Sequence, residues 1–123
     1  MGANQEWYAP NVYMVTWDGT VNGDDVIHSF RDIRRILDEN KDEIHVLFDL
    51  TRVKNIPFNA PTLALSSGFM KHKKLGKVMA VGVNMRAQIL ADIIVRVSGK
   101  DISFYNHHDA ALRSISTFDT LLW

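Results

Sequence analysis

The sequence predicts an α/β domain with a mostly parallel sheet of four or five strands and four helices, in the order β(β)αβαβαβα. Three observations predict it. Short apolar runs alternate with longer segments whose apolar residues recur at helical spacing, the pattern of βαβ units joined by right-handed crossovers. The run Ile44–Leu50 is broken only by His45 and Asp49, with charged residues before it and polar residues and prolines after, as a strand covered on both faces reads. No linker, internal repeat or low-complexity tract interrupts the 123 residues, so a single domain over 1–123 is expected.

Taken in order, residues 6–8 suit a short edge strand ended by Pro10, which cannot donate to a ladder. Val12–Trp17 is β-branched and aromatic and reads as a strand, followed by a turn or bulge at Asp18-Gly19 and an extended Thr20-Val21. Asn22-Gly23-Asp24-Asp25 starts a helix that runs to about Glu39, with Asn22 or Asp24 capping its free N–H groups. Val26, Phe30, Ile33 and Leu37, with Ile27 and Ile36, form its apolar face, and Arg31, Arg34, Arg35 and Asp38 the polar one. After the central strand, Thr51–Asn59 reads as a loop. Pro61 falls in the first turn of a helix over about 60–74, which carries Leu63, Leu65, Phe69 and Met70 and is weakened by Ser66, Ser67 and Gly68. Lys77–Val83 is a buried strand. Met85–Ser98 is a helix with a wide stripe of Ala87, Leu90, Ile94 and Val97 plus Ile89 and Ile93, closed by Gly99. Ile102–Tyr105 is a last strand. Asn106 and Asp109 have capping-box spacing for a final helix whose inner face is Ala111, Leu112, Ile115 and Phe118, followed by an apolar Leu121-Leu122-Trp123.

Composition narrows the function classes. Fourteen basic and fourteen acidic side chains give zero formal charge, so nothing draws the whole chain toward nucleic acid or anionic lipid. The absence of cysteine removes disulfides, thiolate zinc sites and cysteine nucleophiles, and is compatible with a cytoplasmic protein. The first ten residues have neither a basic nor an apolar signal region, Glu6 stands where a myristoylation motif needs Ser or Thr, and no apolar run is long enough for membrane insertion.

The layout resembles the STAS domain, the fold of bacterial anti-sigma-factor antagonists, over nearly the whole chain. Three places carry the resemblance: Gly19-Thr20-Val21-Asn22 before the first helix; Val46-Leu47-Phe48-Asp49-Leu50-Thr51 with Val53, like the family's central strand and turn; and Val78 to Gly82 with Ile102-Ser103-Phe104-Tyr105 and Ala110-Ala111-Leu112. The last part looks most like uncharacterised single-domain STAS-like proteins. The resemblance implies a regulatory module working through protein contact. Phospho-switched antagonists open their second helix with Asp-Ser-Ser-Gly; aligned from Asp49, this chain has Pro57-Phe58-Asn59-Ala60, and Asn59 has no hydroxyl to modify. Ser66-Ser67-Gly68 falls two turns later, inside the helix.

Catalytic patterns are lacking: there is no Gly-x-Ser-x-Gly elbow, P-loop or dinucleotide fingerprint, and Asp24-Asp25 is explained by capping. Asp49 reads as the end of its strand, accepting N–H bonds from the following turn rather than acting as a functional carboxylate. The five histidines have no helical zinc spacing; His107 and His108 point about 100° apart on a helix, His28, His45 and His72 are scattered, and His45 reads as a satisfied strand histidine. The basic run Lys71, His72, Lys73, Lys74 and Lys77 suits a solvated helix end, or meets a phosphate or acidic partner.

The expectation is a non-enzyme without cofactor or metal, binding a protein partner through Pro57, Phe58, Asn59, Ala60 and Thr62. Phe58 is either the surface anchor or core beneath the loop. Trp7, Tyr8 and the apolar tail pack together or form a homodimer patch. The alternative is a carrier of a small apolar, lipid-like ligand or a nucleotide, with Phe69, Met70, Met79 and Met85 lining a pocket or filling ordinary core gaps.

Overall fold

A computed structural model describes residues 2–82 and 84–121, the last six of these by their backbone. Its strands are β1 (Gly2–Ala9), β2 (Val12–Thr20), β3 (Ile44–Asn55), β4 (Leu75–Val81) and β5 (Ile102–Tyr105). Its helices are α1 (Gly23–Glu39), α2 (Ala60–Ser67), α3 (Met85–Ser98) and α4 (His108–Leu121), with one 3-10 turn at Phe69–Lys71. The strands lie side by side in chain order, so β3 is the middle of the five. β1 and β2 are antiparallel; β2 to β5 are parallel.

Strand order explains the layers. Each parallel step moves one place in the same direction, and crossovers of one hand then put their helices on one face. Val26, Phe30, Ile33 and Leu37 of α1, Ala60 and Ala64 of α2 and Leu90 and Ile94 of α3 share one cluster with Ile44, Val46, Phe48 and Leu50 of β3. Alternation sends Leu47 to the opposite face, where it joins Val12, Met14, Met79 and Val81 under Ala111 and Ile115 of α4. Trp17, Phe30, Phe48 and Phe69 form an aromatic centre on the first face, with Phe30 and Phe69 stacked at 5.1 Å between centroids. The Trp17 indole N–H donates to Ser29 Oγ at 3.0 Å, and that hydroxyl donates to the Asp25 carbonyl.

Several local expectations are met in detail. Asn22 caps α1, accepting from the Asp25 N–H at 2.9 Å while the Asp25 carboxylate accepts from the Asn22 N–H. The β2–β3 register shifts around Asp18 and Gly19, as a bulge there requires. Gly99 ends α3 at φ 75°.

Others need correction. The edge strand is not 6–8 but Gly2–Ala9, because it pairs along the length of β2. β3 continues to Asn55, since β2 extends to Thr20 and keeps pairing with it; the loop is therefore shorter than Thr51–Asn59. The second helix breaks inside 60–74: Gly68 takes φ 81°, a left-handed conformation that closes α2, and the chain resumes as the 3-10 turn. β4 begins two residues early, at Leu75. α4 starts at His108, so Asn106 stands too far out to cap it; the first turn closes from the Ala111 N–H to the His107 carbonyl. On α3 only Ala87, Leu90 and Ile94 are buried, whereas Ile89, Ile93 and Val97 face outward. The side chains of Phe118, Leu121, Leu122 and Trp123 lie outside the described residues. Among the described residues no helix is long and apolar enough to cross a membrane.

Leu47 is fully buried under α4. Leu47→Ala is expected to lose about 2–5 kcal/mol of stability, measured as a lower urea midpoint at unchanged slope.

Candidate functional site

The loop between β3 and α2 is the first candidate. Ile56 plugs the end of the core, and the Ala60 N–H donates to the Pro57 carbonyl at 3.0 Å, folding residues 57–60 into a tight turn. The turn forces Phe58 out: it is 79% exposed, the surface alternative of the two read from the sequence. The Arg86 guanidinium of α3 lies 4.2 Å from its ring centroid, within cation–π range. Asn59 holds the cap position of α2 but makes no side-chain cap bond, so its amide is open to solvent. Thr62 is exposed and Pro57 half-buried. Ala60, expected among the contact residues, is buried in the core beside Pro61 and positions the turn from below.

This loop adjoins an apolar surface. Among the described residues, the exposed large hydrophobic side chains are Trp7, Phe58, Met85, Ile89, Ile93, Val97 and Phe104. All but Trp7 belong to the loop, α3 or β5. Trp7 sits apart, edge-on to Tyr13.

A polar cleft opens on the other face, where β3 meets the start of α4. Asp49 Oδ1 accepts from the Thr51 N–H at 3.0 Å and the Thr51 hydroxyl at 2.7 Å, the turn-type bonding expected of it, although the strand does not end there. Asp49 Oδ2 pairs with His108 Nε2 at 2.8 Å, and Tyr8 meets the His108 ring edge-on. Burial raises the Asp49 carboxyl, but the Thr51 and His108 bonds outweigh it and hold the group below its usual value. The partners are 59 residues apart, and no spacing in the sequence announces the pair. Asn4, Glu6, Arg52 and His107 line the rest of this cleft.

The basic run is dispersed. His72 pairs with Asp38 at 2.7 Å, Lys74 Nζ donates to the Asn40 carbonyl, and Lys77 Nζ donates to the Tyr105 hydroxyl at 2.6 Å and to Ser114 Oγ at 3.0 Å. Burial raises the Tyr105 phenol, yet the hydrogen bonds of Lys77, Ser114 and Ser103 and the Lys77 charge together outweigh it and lower it. Only Lys71 and Lys73 remain as exposed side chains of that run. Among the described residues no group of three or more His, Cys, Asp or Glu could hold a metal ion.

The methionines do not share a pocket. Met70 and Met79 are buried on opposite faces of the sheet, and Met85 is 81% exposed. Phe69 and Met70 do border an apolar cavity of about 70 Å³ between the sheet and α2–α3. That is roughly half the ~150 Å³ that admits benzene in an engineered core. It is a packing gap too small for a lipid chain.

The pH dependence of the Asp49 pair has a definite sign. A carboxyl whose folded-state pKa is lowered stabilises the fold above its unfolded pKa, and that contribution fades as pH falls through the folded value. Asp49→Asn should therefore cost about 1–3 kcal/mol near neutral pH and flatten the decline of stability below about pH 4. Denaturant titrations from pH 2 to 7 measure both effects.

No protein-family model and no curated protein sequence matches this chain. Among solved structures, it is similar to an uncharacterized protein of the DUF3478 family with a SpoIIAA-like fold from Shewanella loihica. The TM-score is 0.64, with 16% sequence identity over 91% of this chain and 90% of the other. That likeness covers the sheet and its helices together, and it shows that this chain has a SpoIIAA-like, that is STAS-like, α/β fold.

Proposed function

We propose that this chain is a non-enzymatic regulatory module that docks a protein partner on the loop Pro57–Thr62, with Phe58 as anchor and Asn59 and Thr62 as polar contacts. The observation that carries the reading is Phe58 itself. A phenylalanine 79% exposed, held on a tight turn beside further exposed apolar side chains, is a poor use of an aromatic ring unless something covers it. The STAS-like fold supports the reading, because the loop corresponds to the helix start at which the antagonists resembled by this sequence carry their phosphoserine.

Asn59 sets the mode of control. Its amide accepts and donates hydrogen bonds but takes no phosphoryl group, so the serine switch of the antagonists is missing at this position. Regulation then falls to expression or to a ligand. The Asp49–His108 pair fits a structural role better than a catalytic one, since both Asp49 oxygens are occupied by bonds that tie β3 to its own turn and to α4.

Phe58→Ala should weaken partner capture from a native lysate by about thirtyfold, the effect of losing a central aromatic anchor. Asn59→Asp, which places a fixed charge at the centre of the surface, should weaken it as well. Both variants should unfold at the parent temperature, because neither side chain is buried. If both variants kept every partner of the parent, the surface would be misassigned.

A further inference from the structure

The zero net charge of the chain hides a strong segregation. Between Pro57 and Lys100 there are seven lysines and arginines against a single acid, Asp92. This segment also carries most of the exposed apolar surface. On α3, Met85, Ile89, Ile93 and Val97 follow one another at intervals of four and form a continuous ridge. At 100° per residue, Arg86 and Arg96 fall within the same arc of about 120° as that ridge, and Asp92 and Gln88 fall just outside it. All of these side chains face solvent, and neither arginine makes an ion pair among the described residues. Phe104 of β5 lies on the opposite flank of the helix, with Ala91 and Ile94, and is not part of the ridge.

We propose that this ridge docks an acidic amphipathic helix of the partner protein. The proposal rests on the interaction reading above and gives the partner its chemistry. A row of side chains four residues apart fits the groove between the corresponding rows of a second helix. The two arginines, spaced along the ridge, select acidic flanks on that helix and penalise basic ones. The ridge is one helix wide and bounded on one side by Asp92 and Gln88, a shape that suits a helix better than the plane of a bilayer. A second copy of this chain would bring two arginines to the contact against one acid, Asp92, at its border.

The test is to pan the intact chain against a displayed library of helical peptides. Enriched peptides are expected to combine apolar residues at i and i+4 with net negative charge, to bind more weakly as salt rises, and to shift the amide resonances of residues 85–97. Ile93→Glu should reduce their affinity at least tenfold, and Arg96→Glu should move the selection toward neutral or basic peptides, both at unchanged thermal stability. Enrichment without acidic bias, binding retained by Ile93→Glu, self-association abolished by Ile93→Glu, or binding confined to anionic phospholipid vesicles would each overturn the proposal. Lysate capture lost in Phe58→Ala but kept in Ile93→Glu would reject the α3 ridge while leaving the loop reading intact. The peptide experiment and the loop variants therefore fail separately.

Discussion

The structure depends on covering a single strand from both sides. β3 is central, and its residues 44–50 alternate between two apolar layers with almost no exposure. Even His45 is absorbed, its Nδ1 accepting from the Lys77 N–H at 2.8 Å. One layer needs three helices and the other is served by α4, whose start is fixed by His108 on Asp49 and whose middle is tied through Ser114 to Lys77. Because the parallel strands advance in one direction, α3 is the last helix of its layer. It covers the sheet with Ala87, Leu90 and Ile94 and has no further helix against its outer flank. The exposed ridge is the face of α3 turned away from those three residues, and Arg86 within it reaches Phe58 of the loop before α2.

Much of this was legible in the residues. The apolar alternation of Ile44–Leu50, the capping box at Asn22 and Asp25, the bulge near Gly19 and the left-handed Gly99 all rest on interactions within a few residues of chain, where sequence carries the physics directly. The errors lie where the deciding partner is distant. β3 runs to Asn55 because β2 is there to pair with it, although Thr51, Arg52 and Lys54 look like loop. The helix after Pro61 stops at Gly68 because a left-handed residue lets Phe69 turn back into the aromatic centre. Ile89, Ile93 and Val97 have the periodicity of a buried face, and periodicity alone does not say what lies opposite.

The candidate site divides in the same way. Phe58 is legible as an aromatic between Pro57 and Asn59, and the turn that expels it is local. Ala60 is buried against the walls formed by β3, α2 and α3, which the local sequence does not reveal. The Asp49–His108 pair and the Lys77–Tyr105–Ser114 bonds join residues far apart in sequence, so only the assembled sheet reveals them. The basic run around Lys73 illustrates the converse. It is conspicuous in sequence, yet His72, Lys74 and Lys77 are each committed to a separate neighbour.

The pairing of β1 with β2 bears on how the chain reaches this state. These two strands are joined by a two-residue connection, Pro10-Asn11, whereas every other pairing in the sheet must wait for an intervening helical segment to be drawn back. Loop closure has to be met entropically before such distant pairings reward it. The N-terminal hairpin is therefore the cheapest part of the sheet to order, and the parallel strands accrue onto its β2 side at a pace set by chain topology.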